Sequence, residues 1–235
     1  MESVPLLTII TFLPVVGGII LLFIPSGREW AMKRIALAVS LICLVLGGYL
    51  WFAFDAGSGA IQFEEQYSWI PSLNVHYHLG VDGISLPMVF LTTILTAISL
   101  WYSAFTINVR VREYLVFFLL LETGMIGVFT SLDLLLFYVF WEVGLVPMYF
   151  LIGVWGGERR EYAAIKFFLY TLTGSVLMLL GFIGIYFSTG TFNILAIRGQ
   201  NLFGGDFWLK SLAFWGIFAA FAIKVPMWPF HTWLP

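Results

Sequence analysis

The chain has 235 residues, of which 61% are hydrophobic, 19% aromatic and only 10% charged. Soluble domains average about 25% charged residues, so too few charges exist here to cover a water-facing surface, and the expected solvent is lipid. The net charge of −2 says little about nucleic acid; no basic stripe or nucleotide-binding glycine motif is present, and nucleic acid is not an expected partner.

The apolar stretches match the length a bilayer demands, about 20 residues per helix. Runs 6–24, 35–54, 84–109 and 167–197 contain no Asp, Glu, Lys or Arg. Three more carry one ionisable group each, Glu122 in 114–130, Glu142 in 134–157 and Lys224 in 211–235. Seven spans result, and helices rather than barrel strands, because alternating lipid-facing residues are absent from them. The first run begins after Glu2 rather than a basic cluster and exceeds a signal-peptide core, so a retained helix is expected. Cys43, the lone cysteine, lies in the second span. It can hold neither an iron–sulfur cluster nor an internal disulfide and reads as a small filler.

Basic residues fall on alternate loops. Arg28, Lys33, Arg34, Arg110, Arg112, Arg159, Arg160 and Lys166 share one side, while the other holds Arg198 and Lys210. Positive loops face the cytoplasm, which puts the N-terminus outside. The outer connection 55–82 contains Asn74-Val-His-Tyr-His-Leu-Gly-Val, alternating like a half-buried strand, and Ile61-Gln-Phe-Glu-Glu-Gln-Tyr as its partner. A small outer-face β-hairpin over 61–81 is therefore expected between helices 2 and 3, and subunit contact suits it better than catalysis. His76 and His78 would point the same way from that strand, but no Cys or further His accompanies them, and a metal site is not expected. Between spans four and five the turn Ser131-Leu132-Asp133 is tight, with Ser131 or Asp133 able to cap the new helix. The fold class is thus an all-α polytopic membrane protein of about seven transmembrane helices, the seventh broken by prolines.

An ionised side chain at mid-bilayer costs about 2.5–3.5 kcal/mol on insertion scales. Glu142 stands nine residues beyond Asp133, and Glu122 nine before Ser131, both roughly 13 Å deep at 1.5 Å per residue. Lys224 also falls in a middle third. Two explanations compete. One is structural, a buried Glu–Lys pair or neutral carboxyls bonded to backbone; the other is a proton relay. Local sequence favours the relay. Pro147 clashes with the carbonyl of Val143 and lacks an N–H, opening an acceptor beside Glu142. Pro226 and Pro229 do the same to Ala222 and Val225 just beyond Lys224, and broken helices at membrane depth line cavities. His231, seven residues on, would share the Lys224 face if helix resumes, and its ordinary titration near pH 6.5 suits a relay. At 4 Å and an effective dielectric near 20, a Glu and a Lys attract by about 4 kcal/mol, roughly a thousandfold in proton affinity.

At these residues the chain resembles a known family. Gly80-Val-Asp-Gly-Ile-Ser-Leu-Pro, Phe140-Trp-Glu-Val-Gly-Leu-Val-Pro-Met-Tyr-Phe-Leu-Ile, Arg160-Glu-Tyr-Ala-Ala-Ile-Lys-Phe-Phe-Leu-Tyr-Thr and Lys224-Val-Pro-Met-Trp-Pro-Phe-His-Thr-Trp-Leu-Pro are similar to stretches of the antiporter-like subunit M of bacterial proton-pumping NADH:quinone oxidoreductase, respiratory complex I. The last block is shared with related antiporter-like subunits and Mrp-type cation/proton antiporters.

The resemblance implies a subunit of roughly fourteen helices with two inverted five-helix repeats, each containing a broken helix. On it, 1–110 would be three N-terminal helices with the hairpin, 112–235 an incomplete first repeat of four helices, and the second repeat would lie beyond Pro235. Glu142 takes the family's helix-five glutamate position, Lys224 its helix-seven lysine and His231 the histidine after the break, with Glu122 a secondary candidate. No redox centre is implied in this chain; NADH, FMN, iron–sulfur clusters and quinone belong to the complex. Other membrane subunits of complex I, especially neighbouring antiporter-like ones, are the implied partners, in a bacterial inner membrane with the N-terminus periplasmic. The competing functions are a cation/proton antiporter subunit without dehydrogenase partners and a structural scaffold, the latter disfavoured by Glu142 and Lys224.

Overall fold

The computed structural model describes residues 4–25 and 27–235. Its elements are α1 (Leu6–Phe23), α2 (Glu29–Ala53), β1 (Gln62–Ile70), β2 (Val75–Val81), α3 (Ser85–Thr106), α4 (Val111–Thr130), α5 (Leu134–Val143), α6 (Leu145–Trp155), α7 (Arg160–Thr189), α8 (Ile194–Ile197) and α9 (Phe207–Lys224). With α5 and α6 taken as one interrupted span, seven helical stretches are long and apolar enough to cross a membrane. Large apolar side chains lie on their outsides, among them Phe23, Phe52 and Phe187, each more than 80% exposed. Only a lipid exterior makes that arrangement favourable. The chain is a multi-pass membrane protein.

The structure divides into two compact units, 1–65 with 79–131 and 66–78 with 132–235. In the first unit α1 packs against α2 and α4, and α2 against α3. One end is closed by Leu21, Met32, Ala36, Val39, Leu100, Val111, Leu115 and Leu119. Helix α1 has no side-chain cap of its own at Pro5. The Glu65 carboxylate of β1 supplies one, accepting from Leu7 N at 2.7 Å and Thr8 N at 3.1 Å. A carboxylate there satisfies orphan N–H groups and complements the helix dipole.

In the second unit α7 packs against α9 and α6. The backbones of α7 and α9 approach closely: a Cβ at Gly216 would stand 2.8 Å from the Leu177 carbonyl oxygen, and one at Gly181 3.1 Å from that of Ala213. Small residues at such crossings gain dispersion contact where lipid offers no hydrophobic drive. Of the two expected caps for α5, Asp133 is the one used, accepting from Leu135 N and Leu136 N at 2.9 and 3.2 Å. Ser131 instead donates to the Gly127 carbonyl. Asp133 also accepts from His76 N at 3.2 Å, so β2 and α5 share one carboxylate.

The expected hairpin is present as a two-stranded sheet, β1 paired with β2, joined through a short turn at Pro71–Leu73. Its observed work is within the chain, through the Glu65 and Asp133 caps.

Candidate functional site

The fifth span breaks where Pro147 predicts. Helix α5 ends at Val143, Gly144 forms a turn, and α6 restarts at Leu145. Glu142 therefore sits in the last turn of α5, with the regular ladder interrupted one residue later. Helix α9 ends on Lys224 itself. Pro226 cannot bond the Ala222 carbonyl, and Met227 N takes it instead at 2.8 Å. Trp233 reaches back and donates Nε1–H to the Ile223 carbonyl at 2.7 Å. Helix does not resume after the break: 228–233 is a run of turns. The alignment of His231 with Lys224 on one continuous face, conditional on resumed helix, is therefore not formed. Pro226, Pro229 and Pro235 deny the segment the consecutive donors a helix requires. His231 is half-buried, with Nδ1 buried and without a hydrogen-bond partner.

The two interrupted elements converge. Lys224 Nζ lies 5.3 Å from the centre of the Trp141 ring on α5 and 5.9 Å from that of Phe167 on α7. Trp141 in turn packs edge-on against Phe221 of α9 at 5.4 Å. A cation over an aromatic face gains about 2 kcal/mol when desolvated, so Trp141 holds the ammonium beside α5 without neutralising it. Glu142 is the neighbouring residue, within Coulombic range of both Lys224 and Tyr138. No ion pair within 4.0 Å joins Glu142 to Lys224 among the described residues, and Glu142 Oε1 is buried without a hydrogen-bond partner. Tyr138, one turn before Glu142, lies in reach of Ser175 of α7, whose hydroxyl donates to the Leu172 carbonyl at 3.0 Å. The arrangement is an acid and a base in electrostatic reach, not locked in a closed salt bridge, flanked by a hydroxyl pair.

Glu122 lies in the other unit. It is fully buried on α4 with both carboxylate oxygens unpartnered. His78 is buried and His76 half-buried on β2, and among the described residues no group of three or more His, Cys, Asp or Glu could hold a metal ion. Sequence reasoning passed over Trp141, although it adjoins Glu142, because a tryptophan in a span reads as lipid-facing filler until a cation is found over it. Tyr138 was missed too; its signal is the i, i+4 spacing to Glu142.

Residues 131–235 match the family model described as NADH:quinone oxidoreductase/Mrp antiporter, transmembrane. The whole chain is 45% identical over 240 residues to the NADH-quinone oxidoreductase subunit M of Rickettsia bellii, covering 48% of that protein. For subunit M of Rhodobacter capsulatus the identity is 43% over 244 residues, covering 98% of this chain and 47% of the relative. The chain is similar to this family over its whole length. Among solved structures, a chain of respiratory complex I from Thermus thermophilus with bound NADH superposes with a TM-score of 0.83 at 30% identity, over 97% of this chain and 46% of that one. A chain of the Mrp complex from Dietzia sp. gives the same TM-score at 21% identity over 97% of this chain and 25% of that one, a likeness of fold alone. The chain spans about half the length of the subunit M relatives it matches.

Proposed function

We propose that this chain is part of a proton-translocating membrane subunit of NADH:quinone oxidoreductase, in which Glu142 and Lys224 form a coupled relay driven by electron transfer in partner subunits. The observation that carries the reading is the convergence of the two interrupted helices: Lys224 rests on the Trp141 ring next to Glu142, in electrostatic reach but unpaired. An open pair of this kind has two states. With the carboxylate close, Lys224 holds its proton; with Glu142 protonated or withdrawn, burial favours neutral lysine and the proton leaves. Against 100 mV each proton needs about 2.3 kcal/mol, which is what the change between the two states must supply.

His231 receives or delivers the proton on one side, and the Val143 carbonyl freed by Pro147 accepts hydrogen bonds from the water that carries it. The subunit M relatives support complex I membrane subunits as the partners, with NADH and quinone chemistry elsewhere in the assembly and no redox group here. The basic loops support a bacterial inner-membrane placement with the N-terminus periplasmic. Glu142→Gln and Lys224→Ala in the full-length subunit are expected to leave the complex assembled, with NADH oxidised by an artificial acceptor, and to lower proton uptake into vesicles strongly while leaving a measurable residue. Undiminished uptake would remove the relay.

A further inference from the structure

We infer that the first unit holds a second protonatable site, a neutral Glu122 carboxyl that exchanges its proton with internal water inside a pocket of hydroxyls and one freed carbonyl. Glu122 is 0% exposed, and neither carboxylate oxygen has a hydrogen-bond partner. An ionised carboxylate so placed would be prohibitively costly, and the neutral acid is the form that survives. No charge offsets it. Helices α1 and α3 contain no Asp, Glu, Lys or Arg, and Glu29, Lys33 and Arg34 of α2 and Arg112 and Glu113 of α4 lie at least nine residues from the level of Cys43 and Glu122. Cys43 of α2 is the titratable group in electrostatic contact with it.

The pocket is built from four helices at one height. Close approaches of Gly17 to Val39, Gly18 to Val116 and Gly47 to Thr93 fix the register of the unit's helices. Counting from them along antiparallel neighbours at about 1.5 Å per residue, Cys43, Thr96, Glu122 and Thr123 come within roughly one turn of each other, with Ser40 one turn away. Oγ of Ser40 and Oγ1 of Thr96 and Thr123 are likewise buried without partners. Helix α1 adds an acceptor: Pro14 cannot bond the Ile10 carbonyl, and Cys43 Sγ stands 4.0 Å from that oxygen. Buried polar groups are ordinarily bonded to one another. Four buried side chains on three helices within about one turn of one height, each without a bond, are satisfied when water bridges them, since each water needs two to four polar partners. The transfer moves a proton only: bridging water takes the proton from one Glu122 oxygen as it delivers another to the second oxygen, so one O–H bond breaks while one forms and the carboxyl stays neutral.

This site stands apart from the Glu142–Lys224 reading, and infrared difference spectroscopy on the full complex tests it without pumping. A carbonyl band of a protonated carboxyl is expected in the wild type, lost in Glu122→Gln, and shifted in heavy water in the folded protein. Thr96→Val is expected to slow that shift several-fold while the band remains. A band that never shifts in heavy water would mean a sealed structural acid and overturn the inference. So would no band assignable to Glu122, or a carboxylate band that moves on adding sodium, which would make the pocket a cation site.

Discussion

Asp82 accepts from Ser85 N at 2.7 Å and Ile84 N at 3.0 Å at the start of α3, and the Ser85 N–H holds its carboxyl below the ordinary value. The charged form is the one the fold prefers. Its contribution to stability is therefore full above the unfolded value of about 3.9 and is lost as pH falls through the lowered one. Unfolding in mild detergent is expected to become easier over that acid window, and Asp82→Asn to lose this part of the dependence; an unchanged profile would contradict the cap. Asp133 differs in kind. Burial pushes its carboxyl up, against the lowering N–H groups of His76, Leu136 and Leu135. Removing it strips one cap from α5 and one tie from β2, so Asp133→Ala is expected to cost about 1–2 kcal/mol, read as a lowered melting temperature. No loss would mean the shared carboxylate is idle.

At the scale of elements, the spans were legible because uncharged runs of bilayer length leave no alternative, and the hairpin was legible through its period of two. The break of α5 could be read from Pro147 and that of α9 from Pro226. The path of the backbone beyond Lys224 could not, because prolines say where a helix stops and not which donors, such as Met227 N and Trp233 Nε1, rescue the freed carbonyls. That Glu142 and Lys224 stand near but unpaired was equally hidden, since it depends on how α5 packs against α9 and how α7 and α9 cross. That crossing is testable. A Cβ at Gly216 would meet the Leu177 carbonyl at 2.8 Å, backbone that cannot rotate away. Gly216→Ala is expected to destabilise by about 1–3 kcal/mol and to lower proton transfer by shifting Lys224; a neutral effect on both would deny the tight crossing. Pro147→Ala restores an N–H to the Val143 carbonyl. It is expected to leave thermal stability equal or higher while proton transfer falls, whereas faster or unchanged transfer would make the break dispensable.

Over the whole molecule, two units each place a carboxyl in a span, in different company. Glu122 stands among hydroxyls with no compensating charge, while Glu142 stands beside a cation that Trp141 supports. In the relay proposed for Glu142 and Lys224, that contrast is what couples two proton affinities. Coupling is measured most directly by a double-mutant cycle on proton uptake by vesicles holding the full complex. Glu142→Gln, Lys224→Ala and their combination are compared with the parent. If the two groups act as one relay, the double variant loses no more than either single one. Losses that multiply would show two independent groups and contradict the account.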